Sequence, residues 1–124
     1  HELLQEFEYI PILLEGTDSR GIDVGYLVRG DQAKILEVQQ HPAPEGITSR
    51  PPLLIHVQVE TGEGMVSLYL INNHFTSMSG GELATDPRRS AQAAWNVNIL
   101  ENILEIDPDA NVVILGDLKT VALA

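Results

Sequence analysis

Polar side chains that could carry out acid–base chemistry follow two apolar runs of this sequence. The triplet Asn72–His74 ends a long apolar run, and Gly116–Asp117 follows the short run VVIL. Functional groups often collect where strands end, because a rigid scaffold holds them there. A third candidate, Asp23, lies inside the strand-like run RGIDVGYLVR. A carboxylate is costly to bury alone, so Asp23 needs a partner, and a histidine is a natural one. Pairing with a carboxylate would hold the imidazole in one tautomer and favour its charged form.

Each of these residues also has a purely structural interpretation. An aspartate that follows a glycine at a strand end, as Asp117 does, is typical of a turn, because Asp accepts local backbone hydrogen bonds. His74 after two asparagines could be a satisfied polar residue, and Asp23 could pair with Arg20 or Arg29. Only the convergence of these residues on one pocket would indicate a shared function.

The elements that must position these residues are mostly strands. The predicted strands are Tyr9–Leu14, Ile22–Val28, Ala33–Gln40, Leu53–Glu60, Met65–Ile71 and Val112–Leu115. The turn TGEG predicts a hairpin of the fourth and fifth strands, and the apolar fifth is typical of a central strand buried on both faces. Residues 41–52 and 76–86 predict loops, because they are rich in Pro or in Ser and Gly.

One long helix is predicted between the fifth and sixth strands. Thr85 can cap it with Pro87 near its first turn, and it ends at about Ile106, before Pro108. Its apolar residues fill a wide arc, so we expect most of its surface to be packed, with Trp95 in the core and a narrow polar stripe outside. A last helical turn is also predicted at residues 2–7. The order of elements predicts an α/β or α+β sandwich that ends in a buried strand.

Composition limits the classes of protein that fit. The 124 residues form one domain at most, and 44% are hydrophobic, which excludes a disordered tail. The sequence has no cysteine, which excludes disulfides and thiolate chemistry and is compatible with any compartment. It shows no signal peptide and no membrane-spanning stretch. The net charge of −11 argues against tight non-specific DNA binding but allows a local carboxylate site for a divalent cation.

Four motifs in order resemble the endonuclease/exonuclease/phosphatase superfamily. They are RGIDVGYLVR, INNHFTSMSGGE, RRSAQA and VVILGDL, and together they span nearly the whole chain. The resemblance implies the DNase I-like fold, an α/β sandwich with a mixed, mostly antiparallel sheet and one long packed helix. It implies a hydrolase that cleaves phosphate esters, nucleic acid among them, with Mg²⁺ or with Mn²⁺ or Ca²⁺.

The resemblance also implies roles for single residues. His74 would bind the scissile phosphate or protonate the leaving group, and Asp23 would orient it. Asp117 matches the aspartate of the family's GDxN motif, where it would help to hold the metal and to position and activate the attacking water. Such cleavage needs charge neutralisation, an oriented nucleophile and a route for the leaving-group proton.

Other polar residues are weaker candidates for substrate contact. Asn73 would contact the phosphate or simply close its strand, and Arg20 would contact phosphate or pair with Asp18 or Asp23. Lys119 stands where the motif has Asn; it offers only donors, so it could touch phosphate but could not orient a water as Asn does. In the stretch RRSAQA, Arg89 and Gln92 match a signature whose role we expect to be structural.

Two further family features are not assigned in these residues. A metal-binding Glu is expected upstream of Tyr9, where no glutamate lies in the family's motif, and an Asp–His pair is expected beyond Ala124. We therefore expect the central segment of such a hydrolase, with little activity and its metal unbound when alone. A non-catalytic scaffold or binding module that keeps the fold, and an unrelated acidic α/β binding module, are the alternatives. Uncovered apolar sheet surface predicts a homo-oligomer.

Overall fold

The structure, a computed structural model, describes residues 9–14, 24–44, 46–48, 50–76 and 82–118. Its elements are β1 (Tyr9–Leu13), β2 (Gly25–Arg29), β3 (Ala33–Gln40), β4 (Leu53–Thr61), β5 (Gly64–His74), α1 (Glu82–Ile106) and β6 (Asn111–Asp117). The helical turn predicted at residues 2–7 lies outside the described residues. No helix in these ranges is long and apolar enough to span a membrane.

The strands form two sheets, and their pairing confirms the predicted fold class. β1 and β2 form an antiparallel pair, and the larger sheet has the order β3-β4-β5-β6. Its pairs are antiparallel except β5 with β6, which run parallel. Parallel neighbours need a long crossover, and α1 supplies it. The chain is therefore a mixed, mostly antiparallel α/β sandwich with one long helix.

The predicted hairpin is confirmed. β4 and β5 pair from Leu53 opposite Asn72 to Thr61 opposite Gly64. Gly64 has φ +126°, which glycine adopts without a Cβ penalty, and the Thr61 hydroxyl donates to its carbonyl at 2.8 Å. The tight turn fixes the register, and the register decides which side chains of β5 face which layer.

Two apolar clusters lie on opposite faces of the larger sheet. Leu53, Ile55 and Val57 of β4 pack against the two-stranded sheet, and Leu54 and Ile71 pack against α1. This alternation along β4 is the period of two that a strand imposes on its side chains. Each fully buried side chain of this kind contributes about 1.5–3 kcal/mol to folding.

A half-buried tyrosine ties the two sheets together. The hydroxyl of Tyr26 in β2 lies 2.6 Å from the Leu53 carbonyl and 2.9 Å from the Leu70 carbonyl. Burial raises the pKa of Tyr26 well above its usual value, so the phenol stays a hydrogen-bond donor. The side-chain amide of Asn72 adds a second link by donating to the Gly25 carbonyl at 2.7 Å.

The start of α1 differs from the prediction. The helix begins at Glu82, and Pro87 lies inside it rather than at its first turn. Thr85 does not act as the cap, because it lies inside the helix and its hydroxyl accepts a hydrogen bond from the Arg89 guanidinium one turn later. The predicted end at Ile106 is confirmed.

The burial of α1 also differs from the prediction. The buried stripe repeats every three or four residues and consists of Arg89, Gln92, Asn96, Ile99 and Ile103. Its first half is polar, while apolar side chains elsewhere on the helix are exposed, among them Val97, Leu104 and Ile106. Only part of the predicted apolar arc, Ile99 and Ile103 with Trp95 beside them, therefore packs on the sheet. The polar residues that also pack lie beside the ends of β5 and β6.

The last strand is an edge strand, not the buried strand predicted. Val113 and Ile114 of β6 are 45% and 37% exposed. β5 is central, as predicted, but most of its side chains are half-buried rather than buried on both faces. The opposite edge, β3, carries charged residues and a bulge between Ile35 and Glu37, features that discourage pairing with another strand.

Candidate functional site

His74 and Asp117 meet where the two parallel strands end. They are register partners, the last residues of β5 and β6, and the imidazole Nε2 lies 3.7 Å from the Asp117 Oδ2. Parallel strands bring their carboxyl ends to the same edge of a sheet, where sites in α/β proteins often lie. The structure thus brings together two of the three residues predicted to be catalytic, from positions far apart in sequence.

A glycine allows the close approach of these strand ends. Gly116 has φ +121°, and a Cβ on it would lie 2.1 Å from the Asn73 carbonyl oxygen and 2.7 Å from the Asn73 nitrogen. One residue later, the Phe75 amide donates to the Asp117 carbonyl at 2.8 Å. The glycine of the GD dipeptide is therefore required by the approach of β6 to β5, which sets Asp117 beside His74.

Arg50, which sequence reasoning missed, lies against the histidine. Its NH1 is 3.3 Å from the His74 Nδ1, and its NH2 donates to the Phe75 carbonyl at 3.1 Å. Arg50 belongs to the Pro-rich loop 41–52, a segment whose composition indicates only a loop. No sequence spacing signals a contact between residues 50 and 74, because it arises from the docking of that loop on the rim of the sheet.

The contact with the arginine favours one tautomer of the histidine. A guanidinium has donors and no acceptor, so the His74 Nδ1 in this contact must accept. The proton of the neutral ring then lies on Nε2, the nitrogen on the side of Asp117. The separation of 3.7 Å is longer than a hydrogen bond, so the two groups are near enough to interact without being tightly joined.

Asn73 faces the helix. It is 3% exposed, its Nδ2 donates to the Asn96 Oδ1 at 2.8 Å, and the Asn96 Nδ2 donates back at 2.9 Å. Reciprocal amide bonds of this kind satisfy both buried groups. Of the two roles considered for Asn73, these contacts favour closing the strand and joining it to α1. Substrate contact by Asn73 stays a prediction.

Three of the predicted site residues lie outside the described residues: Asp23, Arg20 and Lys119. The strand that follows Asp23 is described, since β2 begins at Gly25. The Gly25 carbonyl accepts a hydrogen bond from the Asn72 side-chain amide at 2.7 Å. Asn72 and His74 share one face of β5, since side chains alternate along a strand. The start of β2 therefore lies against the face of β5 that carries His74.

Asp117 is the residue predicted to bind the metal ion, and it lies among the described residues. Its side chain is 52% exposed at the rim. Within the described ranges, no group of three or more His, Cys, Asp or Glu side chains could hold a metal ion. Mg²⁺ commonly takes one or two carboxylates together with substrate phosphate and water, so Asp117 fits as one ligand of such an ion.

A second histidine lies at the start of the Pro-rich loop. The His41 Nε2 is buried and has no hydrogen-bond partner among the described residues, and the His41 carbonyl accepts from the Trp95 indole at 3.0 Å. Burial lowers the pKa of His41 below its usual value, and the nearby Glu37 carboxylate opposes this only in part. Burial of His41 therefore favours its neutral form.

Comparisons with known proteins identify the family of this chain. The sequence model described as "Endonuclease/Exonuclease/phosphatase family" matches residues 1–121. No curated protein matches the sequence.

Three solved structures show the same fold. D. rerio TDP2, complexed with single strand DNA product, is 24% identical, with a TM-score of 0.66 over 98% of this chain and 44% of that one. A truncated Caenorhabditis elegans TDP2 is 18% identical, with a TM-score of 0.67 over 97% and 43%. The human Nocturnin catalytic domain with bound sulfate anion is 17% identical, with a TM-score of 0.62 over 97% and 46%. This chain spans less than half the length of these structures.

Proposed function

Because this chain belongs to the endonuclease/exonuclease/phosphatase family, whose members are phosphodiesterase- and nuclease-like hydrolases, we propose that it is the central segment of a divalent-metal-dependent phosphodiesterase. The observation that carries the proposal is the convergence of Arg50, His74 and Asp117 at the ends of two parallel strands. A cation, an imidazole and a carboxylate in one place are the groups that phosphate ester cleavage needs.

Each of the three side chains has a chemical task in this proposal. Arg50 neutralises charge on the phosphate, since a guanidinium binds phosphate oxygens through parallel donors. His74 carries its proton on Nε2 and can donate it to a phosphate oxygen or to the leaving oxygen. Asp117 accepts a hydrogen bond from the attacking water and orients it.

Members of the family generally depend on a divalent metal ion. In this segment Asp117 would hold such an ion as one of its oxygen ligands. When bound, the ion would supply positive charge beside the phosphate. We propose Mg²⁺, with Mn²⁺ or Ca²⁺ as substitutes.

The remaining predicted residues keep their proposed roles. Asp23 precedes β2 by two residues, and we propose that it orients His74 from the face to which Asn72 links the start of that strand. Arg20 and Lys119 are proposed phosphate contacts, and Lys119 replaces the asparagine of the family motif. The domain boundaries proposed are those of the whole chain, 1–124.

Nucleic acid is the proposed substrate class, and other phosphate esters are the alternatives. The support is that D. rerio TDP2 of the same fold is complexed with a single strand DNA product. The net charge of −11 disfavours binding through a broad basic surface. Contact would therefore be confined to a few phosphates near Arg50.

A second candidate function is a non-catalytic scaffold or binding module. The feature that favours it is Lys119 in place of Asn, because Lys cannot accept a hydrogen bond from the nucleophilic water. Such a module would keep Arg50 and His74 as an anion site without turnover. We also propose self-association through exposed apolar surface such as Val113 and Ile114 of β6. A strictly monomeric species in sedimentation would exclude it.

Binding of dimethyl phosphate, followed by NMR with Mg²⁺ present, tests the anion site. We expect signal changes centred on Arg50, His74 and Asp117. In Arg50→Gln the dissociation constant should rise about tenfold, because a hydrogen bond to a charged group contributes about 1.5–3 kcal/mol. Arg88→Gln is the matched control, since Arg88 is an exposed arginine of α1. Changes confined to other surfaces, or equal effects of the two substitutions, would exclude the proposed site.

Hydrolysis of bis(4-nitrophenyl) phosphate separates the two candidate functions. We expect little turnover by this chain alone, because groups of a catalytic shell act as a unit and several are not assigned here. Mg²⁺-dependent turnover that is lost in His74→Ala would overturn that expectation and establish a hydrolase. Binding without turnover, in this chain and in any longer form of it, would favour the binding module.

A further inference from the structure

Described residues of the Pro-rich loop 41–52 form hydrogen bonds with one another. Its ends are joined by the His41 amide, which donates to the Pro52 carbonyl at 2.9 Å. Near its far end the Thr48 hydroxyl bonds to both the carbonyl and the amide of Arg50, at 3.1 and 3.0 Å. These bonds among the described loop residues support the arginine that reaches His74.

Gln92 of α1 joins this loop to the segment that follows β5. Its Nε2 donates to the Ile47 carbonyl at 2.6 Å and to the Thr76 hydroxyl at 2.7 Å, while its Oε1 accepts from the Thr76 amide at 2.9 Å. The residue is 3% exposed, so these bonds are made away from water. One buried side-chain amide therefore forms hydrogen bonds with two chain segments at once.

The two segments are the ones that flank the candidate site. Ile47 precedes Arg50 by three residues, and Thr76 follows His74 by two. A shift of either segment would change the 3.3 Å separation between the guanidinium and the imidazole. Core packing alone does not require this arrangement, since an apolar side chain could fill the same buried position on the helix.

We infer that Gln92 is a positioning residue, which clamps the loop to the end of β5 and so holds Arg50 beside His74. This inference rests on the proposed function, because it assigns Arg50 to phosphate binding. It gives the helix a part in the site although none of its side chains needs to touch the substrate.

Two substitutions separate the halves of the clamp. Gln92→Met keeps the approximate size and removes every hydrogen bond. Gln92→Glu, above neutral pH, can still accept from the Thr76 amide but cannot donate to the Ile47 carbonyl. Gln39→Met, on the exposed face of β3, is the matched control. Circular dichroism and the unfolding midpoint report whether each variant is folded.

The readouts are inorganic phosphate binding, amide exchange and the NMR contact between the Arg50 guanidinium and the His74 ring. We expect Gln92→Met to weaken phosphate binding at least about fivefold. The hydrogen-exchange rate of the Thr76 amide should rise about tenfold or more. Gln92→Glu should weaken phosphate binding similarly while the Thr76 amide stays protected. Gln39→Met should leave all three readouts unchanged.

Unchanged phosphate affinity in both Gln92 variants, with only a lower unfolding midpoint, would overturn the inference and leave Gln92 a structural residue. Failure of the wild-type chain to bind phosphate would instead reject the proposed function. In that case the contact between Arg50 and His74 still decides: its loss in Gln92→Met supports the positioning role, and its persistence overturns it.

Discussion

Replacing Gly116 by alanine tests whether β6 approaches β5 as closely as the structure shows. The new Cβ would lie 2.1 Å from the Asn73 carbonyl oxygen, so one strand would have to move. Overpacking of this kind costs about 1–3 kcal/mol. The backbone at φ +121° adds strain of about 1–2 kcal/mol for a residue with a side chain. We therefore expect Gly116→Ala to lower the free energy of unfolding by about 2–5 kcal/mol, a large share of the usual total.

Substitutions at two other glycines separate the cost of overpacking from the cost of backbone strain. Gly64 has a similar φ of +126°, but a methyl group added to it would meet open space within 4 Å, so Gly64→Ala should show the strain alone. Gly62 has neither the strain nor a near neighbour, so Gly62→Ala should be neutral or slightly stabilising. Urea unfolding followed by the fluorescence of Trp95, the single tryptophan, measures all three. A loss in Gly116→Ala no larger than that in Gly64→Ala would refute the close approach of the strands.

Three further outcomes are expected. Burial lowers the pKa of folded His41 below its unfolded value of about 6.5. The stability that the neutral form confers is therefore complete above that unfolded pKa and is lost as the pH falls below it. His41→Gln should flatten the pH dependence of urea unfolding, and an unchanged slope would contradict this. Asn73→Ala and Asn96→Ala should each cost about 1–3 kcal/mol, and a double-mutant cycle should show coupling of at least about 0.5 kcal/mol, whereas additive losses would argue against the amide pair. Ile71→Ala should cost about 2–5 kcal/mol by thermal unfolding, against about 0.5 kcal/mol for exposed Val113→Ala, and similar losses would contradict the burial described.

Much of the fold could be predicted because its determinants are local. Alternating residues and a glycine turn are enough to place Ala33–Gln40 and the hairpin that follows, and both are confirmed. The predicted start of the helix is wrong because a proline is typical of a first turn, whereas this helix already runs from Glu82 and contains Pro87. The predicted burial of the helix is confirmed for Ile99 and Ile103 but is wrong for Val97, Leu104 and Ile106, because hydrophobic periodicity does not show which neighbours are present to cover an apolar arc.

The site could be predicted only in part, for a related reason. His74 and Asp117 end apolar runs, so the sequence itself marks them as strand-end residues. Arg50 lies in a loop with no periodicity. Its position beside His74 depends on long-range hydrogen bonds such as that of Gln92 to the Ile47 carbonyl. Contacts of that kind depend on the folded positions of three segments, and spacing along the chain does not encode them.

The geometry of the site depends on a single register. In β5, Ile71 and Asn73 face the helix, while Asn72 and His74 face the opposite side. A slip of one residue between β5 and β6 would place Asp117 opposite Asn73, whose amide is committed to Asn96, and would leave His74 without its carboxylate neighbour. Gly116 allows the close approach in this register, because a Cβ at that position would collide with the backbone of residue 73. The same glycine that the packing of β6 requires therefore allows the carboxylate and the imidazole to meet, so stability and the candidate chemistry share one structural cause.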